Sequence, residues 1–356
     1  MHQDPLILDY SAHAAWDTCP ALWYEKYVNR LRRRWPPGQR SDALALGSLV
    51  HAGLQVWQET RTVEIPQSVV DEVTPTRETY SLAQELVWGY ARTYPEELWP
   101  LVRCEEPLRF PITPEVCGLA KVDTYFYVPE PTEIETGLGG LRMTLSEGYW
   151  IHEYKTKSPY IPSGIYMQAW DTNLQASYQT LALRELLRGQ GVDPGAVQGV
   201  LINVLEKPRR HVPSRKCRAC QESYEFATWV PTGTGEYSCP MCGSRQKLTP
   251  LREAQPQIPP VYYRFPVVRS EATLTRHREI IKQTGQEMLW MKGGGLRSAA
   301  WRTGKCVDTQ WKRACDFFAP HTHGWEAGSD PEIYETAPDY RGLVQIGAAP
   351  VEEGVI

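Results

Sequence analysis

Long apolar runs are missing from this 356-residue chain, and nothing in it approaches the roughly 18 consecutive apolar residues that span a bilayer. No membrane partner is expected. The opening Met1-His2-Gln3-Asp4 has neither the basic start nor the apolar core of a secretory leader, which predicts a cytoplasmic protein. A Gly-x4-Gly-Lys-Ser/Thr phosphate loop is absent as well, so the chain carries no motor of its own. Repeats are absent too. Hydrophobic residues at 42%, charged residues at 22% and aromatics at 11% exclude a low-complexity or disordered chain. At roughly 150 residues per domain the length corresponds to about two domains. What is present is cysteine: nine residues, an odd number, four of them in two tight pairs. Metal binding explains that count and those pairs better than a secreted disulfide framework.

The net charge of -4 conceals an uneven distribution. Residues 325–356 hold seven acids and one base, so the rest of the chain carries a slight excess of Lys and Arg. Two stretches contain bases and no acid: Arg30, Arg32, Arg33, Arg34 and Arg40, then Lys207, Arg209, Arg210, Arg215, Lys216 and Arg218. Each is compatible with phosphate binding or with a solvated loop.

Ser11 is read as the cap of a short helix through Trp16 to Cys19, and Pro20 as the start of another carrying Trp23 and Tyr27. Residues 42–59 place Leu46, Val50, Leu54 and Trp57 at spacings of three and four, the stripe of a buried helix, with His51 beside it. Two β-like stretches follow, Leu108–Ile112 and Val122–Val128, separated by Gly118. Residues 129–147 read as a loop or hairpin extension, 149–155 as a strand and 168–188 as a helix. Val200–Leu205 and Val261–Phe265 suit buried strands, residues 271–292 a long helix, and 325–356 a loosely ordered acidic tail. This order predicts a mixed α/β unit with helical flanks. Its core spans 1–206 and 257–324, interrupted by a cysteine-rich insert at 207–256.

The insert holds Cys217-Arg-Ala-Cys220 and, eighteen residues on, Cys239-Pro-Met-Cys242-Gly243. Two Cys-x2-Cys turns, each offering two sulfurs at about 2.3 Å, match tetrahedral zinc. Four sulfurs leave no open position, so such a zinc is structural; a ribbon that has lost its metal is the alternative. A second constellation is dispersed: His51 on a helix, Asp123 in a strand, and His152-Glu153-Tyr154-Lys155 in the next. Two carboxylates and an imidazole suit a hard divalent cation, and Lys155 shares a strand face with Glu153. A metal so held activates water and clamps a phosphoryl oxygen, while the lysine stabilises developing charge. Taken alone, Glu-x-Lys is as compatible with an exposed salt bridge.

Taken together, these motifs resemble the PD-(D/E)XK nuclease superfamily, in particular its RecB-like branch of CRISPR-associated single-strand exonucleases and phage nucleases. The resemblance runs from Ser11 to Cys19-Pro20, through Gly47-x3-His51, Gly118-x4-Asp123 and Glu153-Tyr-Lys155, to Gln175-Ala-Ser-Tyr178. It implies a restriction-endonuclease-like mixed sheet flanked by helices, with the zinc ribbon inserted. It implies Mg²⁺ or Mn²⁺ on His51, Asp123, Glu153 and the carbonyl of Tyr154, with Lys155 as catalytic lysine and Gln175 and Tyr178 facing the scissile strand. It also implies an iron–sulfur staple from Cys19 to Cys306 and Cys315, where His321 stands in place of the last cysteine; either a Cys₃His-held [4Fe–4S] cluster exists or the staple has degenerated. The function implied is a DNA nuclease acting on single-stranded ends in repair, recombination or phage DNA processing. A non-catalytic or accessory nucleic-acid-binding protein, working with a helicase or recombination partner, is the competing reading.

Overall fold

The computed structural model describes residues 4–33, 42–96, 99–159, 161–208, 214–221, 223–225, 229–233, 235–248 and 258–293, with short strand pieces at 307–308, 313–314 and 334–336. The chain opens with β1 (Leu6–Asp9), α1 (Tyr10–Thr18), α2 (Pro20–Trp23) and β2 (Leu31–Arg33). Then come α3 (Asp42–Thr60), α4 (Gln67–Val73) and α5 (Arg77–Thr93), β3 (Leu101–Thr113) and β4 (Val116–Val128), and a small hairpin of β5 (Thr132–Glu135) and β6 (Arg142–Leu145). β7 (Gly148–Lys157), α6 (Ser163–Ala169), α7 (Leu174–Gly189) and β8 (Val197–Glu206) follow. The cysteine-rich segment contributes β9 (Ser214–Lys216), β10 (Ser223–Glu225), β11 (Val230–Gly233), β12 (Glu236–Ser238) and β13 (Arg245–Lys247), before β14 (Val261–Val268) and α8 (Glu271–Lys292).

Six strands form one mixed sheet in the order β1-β4-β7-β8-β14, with β3 on the remaining edge of β4. β7 and β8 run parallel, β14 is antiparallel to β8, and β4 is antiparallel to β7. Helices cover both faces. On one face, Leu49, Val50, Leu54 and Trp57 of α3 pack with Leu86, Val87 and Tyr90 of α5 over Tyr154 and Leu205. On the other, Ile151, Ile202 and Val204 meet α1, α7 and α8 through Trp16, Leu183 and Met288. Two covered faces explain why β8 is an almost unbroken apolar run rather than an alternating one.

Several local expectations change. Asp9, not Ser11, caps α1: its carboxylate accepts the Ala12 N–H at 2.6 Å, and Ser11 lies exposed in the first turn. Gly118 separates no strands; it sits inside β4, where a Cβ would lie 2.2 Å from the Phe110 ring on β3. The helix expected at 168–188 is two helices. Asn173 caps the second by accepting the Gln175 N–H at 2.8 Å, and Arg269 holds the break by donating to the carbonyls of Trp170 and Asn173. Among the described residues, no helix is long and apolar enough to cross a membrane.

Candidate active site

One edge of β4 organises the site. β3 pairs along that strand from Val116 to Phe126, so β1 and β7 share its opposite edge. β1 takes Val116–Leu119 and β7 takes Thr124–Val128, so that between them, over Ala120–Asp123, this edge of β4 is bordered by neither strand and β3 alone runs alongside. Beyond the Thr124–His152 pair, β7 parts from β4 and keeps only β8 as its neighbour. At this fork the Tyr154 N–H donates to Asp123 Oδ2 at 3.0 Å, a side chain replacing a ladder carbonyl.

Asp123 and Glu153 are 7% and 2% exposed, so each carboxylate needs partners. His51, from α3, places Nδ1 3.2 Å from Asp123 Oδ1. Lys155 pairs directly with Glu153 Oε1, which also accepts from Gln175 Nε2 at 2.8 Å, while Gln179 Nε2 donates to Glu153 Oε2. Lys155 Nζ also lies 5.8 Å from the centre of the Trp170 ring. The fork thus brings together His51, Asp123, Glu153, Lys155 and Gln175 from distant parts of the sequence.

Burial shapes the charges here. It drives the Glu153 carboxyl above its ordinary range, with Asp123 adding repulsion and Lys155 offsetting only part. For Asp123 burial also opposes ionisation, but the charge and hydrogen bond of His51 and the Tyr154 N–H outweigh it and hold the group low. Burial works against charge on His51 and Lys155, yet neighbouring carboxylates raise both. The site therefore holds two carboxylates of unlike proton affinity within reach of one ammonium.

Tyr178 and Tyr154 each make contacts beyond the roles implied for them. The Tyr178 hydroxyl lies 3.0 Å from His13 Nδ1 of α1, and the residue lines the same cavity as Lys155 and Gln175. Tyr154 meets the site through its backbone N–H, and its buried hydroxyl is engaged by Gln58 and by His152 Nδ1. Gln179 was not anticipated. Its signal was present: it follows Gln175 by four residues, one helical turn, and so shares its face.

The second cluster is the four cysteines. Cys217 and Cys242 place their sulfurs 3.6 Å apart, Cys220 and Cys239 3.9 Å apart, and all four lie within 4.8 Å of one another. Four sulfurs about 2.3 Å from one ion stand about 3.8 Å apart in a tetrahedron, so the cluster can hold zinc. The two turns are built alike: Gln221 and Gly243, each just after the second cysteine, adopt φ of 62° and 69° and donate to the carbonyls of Cys217 and Cys239. Backbone N–H groups of Cys220 and Ala219 on the Cys217 sulfur lower that thiol to about 6. Among the described residues, no other His, Cys, Asp or Glu set converges so closely, the His51–Asp123–Glu153 set included. Of the residues implied for an iron–sulfur staple, Cys19 is buried between α1 and α2, and Cys306, Cys315 and His321 lie outside the described residues.

Carboxylates and a lysine on strands that part at one edge make a site suited to phosphoryl chemistry. A sequence model of the PD-(D/E)XK nuclease superfamily matches residues 8–316, and the chain belongs to that superfamily. Among solved structures the chain is similar to that of a candidate exonuclease from Eubacterium rectale, at 12% identity and a TM-score of 0.43, over 82% of this chain and 83% of that one. No curated protein sequence matches it.

Proposed function

We propose that this protein is a RecB-like, Mg²⁺- or Mn²⁺-dependent deoxyribonuclease that hydrolyses phosphodiester bonds at single-stranded DNA ends. The observation that carries the reading is the β4–β7 fork, which gathers Asp123, Glu153 and Lys155 where β4 is bordered by β3 alone. The donor set fits a hard cation in chemistry and burial: two carboxylates and an imidazole, with the carboxylates nine-tenths buried. His51, Asp123 and Glu153 would hold it.

A bound divalent metal would supply charge stabilisation and a water of lowered pKa. The protein's own groups prepare the rest. His51 fixes Asp123 Oδ1 and the Tyr154 N–H fixes Oδ2, so that carboxylate cannot rotate freely. Gln175 and Gln179 orient Glu153 in the same manner. Lys155, kept protonated by its carboxylate neighbours, supplies a cation where negative charge grows on the phosphoryl oxygens.

The cysteine cluster is a structural zinc ribbon in this proposal, set in the chain between β8 and β14, with Arg215, Lys216 and Arg218 beside its first cysteine turn. The iron–sulfur staple of Cys19, Cys306, Cys315 and His321 belongs to the same proposal and is read from the colour and iron content of anaerobically purified protein. End-labelled single- and double-stranded DNA, incubated with Mg²⁺, Mn²⁺ or a chelator, tests the activity. Metal-dependent shortening from single-stranded ends is expected; intact DNA under every condition overturns the reading.

A further inference from the structure

The gap in the β4 edge opens into a cavity of about 460 Å³ that reaches Lys155. Its walls come from the end of β1, the start of α1, the middle of β4 with Pro107 of β3 beside it, Lys155 of β7 and one face of α7. We infer that this cavity binds one unpaired nucleoside of the DNA strand, seated next to the phosphate that meets Lys155. The inference rests on the nuclease reading of the fork and adds what selects the substrate.

A nucleobase is a flat apolar body with polar edges, and pockets that take one offer aromatic or aliphatic walls with few fixed polar groups. This cavity offers both. Tyr10, Leu119 and Tyr178 supply apolar walls, while Asp9, Ser11, Lys121, Gln175 and Gln179 supply polar ones beside Lys155. The orientation of Gln179 is dictated by its neighbours, since Nε2 faces two acceptors, the Lys121 carbonyl at 3.2 Å and Glu153 Oε2. Its Oε1 is left as an acceptor without a protein donor among the described residues, in a side chain 1% exposed. One amide thus ties the cavity wall to the carboxylate that Lys155 pairs with. A nucleoside in the cavity places its phosphate at Lys155, because that lysine forms part of the same wall.

A base within a duplex is stacked on both faces and paired along its edge. It must leave the stack to enter a recess of this kind, which costs least when the strand is already single. The cavity therefore favours single strands, independently of the ribbon and of the metal.

The test measures binding with chelator present, so that no cleavage occurs. A single-stranded oligodeoxynucleotide carrying 2-aminopurine near its end and a matched duplex are titrated against wild type, Ser11→Trp and Tyr10→Ala. Ser11 is an exposed residue of the cavity wall, and tryptophan there fills the recess. Single-strand affinity is expected to fall about tenfold in both variants, the loss of one stacked base, with duplex affinity unchanged. In wild type, 2-aminopurine fluorescence should change on binding as the base leaves its neighbours; that readout needs no variant. Unchanged fluorescence, wild-type single-strand affinity in folded Ser11→Trp, or an equal loss on duplex overturns the inference. Failure of the nuclease reading is separately visible as wild-type protein that cuts no DNA with Mg²⁺ or Mn²⁺.

Discussion

Gln175 and Gln179, one turn apart on α7, donate to different oxygens of a single buried carboxylate, Glu153. Each oxygen is thereby directed, and Gln179 alone also ties the site to the open β4 edge through the Lys121 carbonyl. Outer-shell partners of this kind typically change metal affinity or turnover by roughly 10- to 100-fold. Gln179→Leu should lower kcat by that order with a smaller effect on KM. Gln175→Leu should do less, because Oε1 keeps Lys155. Steady-state cleavage kinetics check this, and equal effects on KM alone would contradict the positioning role.

Lys155 stands beside Glu153 and over the Trp170 ring, where a cation acts on charge that develops during reaction. Lys155→Ala should reduce cleavage by about 100- to 1,000-fold while leaving DNA binding within a few-fold of wild type. The variant remains folded, since a Glu153 carboxyl already raised by burial can take up a proton when its partner is removed. Single-turnover rates and equilibrium binding, measured on one preparation, separate the two effects.

How far the sequence reached can be read from particular residues. The helix of Leu46, Leu54 and Trp57 and the buried strand Val200–Leu205 were legible because period and apolar run length are local properties. His51, Asp123, Glu153 and Lys155 were legible as ordered motifs, and the fork brings them together. The gap itself was not. It arises because β1 and β7 use different parts of one β4 edge, and β1 reaches that edge from about a hundred residues away in the sequence. The exact use of Tyr178 was hidden for the same reason, since His13 comes from the other end of the core. Gly118 read as a turn because glycine usually marks one; its cause is the Phe110 ring across the strand pair.

The cysteine cluster makes a metal-content prediction. Purified protein should contain about one zinc per chain, and Cys217→Ser with Cys220→Ser should reduce it to none. The small apolar cluster of Trp229 and Leu248 packs on Cys217 and Cys239, so the insert should lose its structure with its ion. The main sheet has its own core and should keep its melting temperature. Elemental analysis and a thermal melt decide it; full zinc content in the double variant would remove these sulfurs from the site.

Gly47 lies one turn before His51 on α3, and among the described residues a Cβ added there meets no atom within 4 Å. Packing therefore does not require glycine, although glycine inside a helix costs roughly 0.5–1 kcal/mol relative to alanine. Gly47→Ala should stabilise the protein by about that amount. If the open backbone beside His51 serves the substrate, the same change should also weaken cleavage. Urea unfolding paired with activity checks both, and a stabilised variant with undiminished cleavage would leave this glycine without a role at the site.

His13 supplies a pH dependence. The ring is 1% exposed, with Nδ1 3.0 Å from the Tyr178 hydroxyl and Nε2 3.6 Å from Asp17. Burial lowers its pKa below the ordinary 6.5, and Asp17 offsets only part of that. Between the lowered folded value and 6.5 the unfolded chain binds the proton and the folded chain does not, so stability falls as pH drops through that window and levels off beneath it. His277 shifts in the same direction through burial and the charges of Arg269 and Arg276, whereas His51 is raised and contributes oppositely, losing its share as pH rises through its folded value. The His13 contribution is therefore isolated by difference. His13→Gln keeps a polar partner for Tyr178 without titrating, so the gap in unfolding free energy between wild type and variant should narrow from about pH 7.5 to about pH 5.5. Urea denaturation at both values measures it; a gap that stays constant would mean that His13 keeps its ordinary proton affinity in the folded chain.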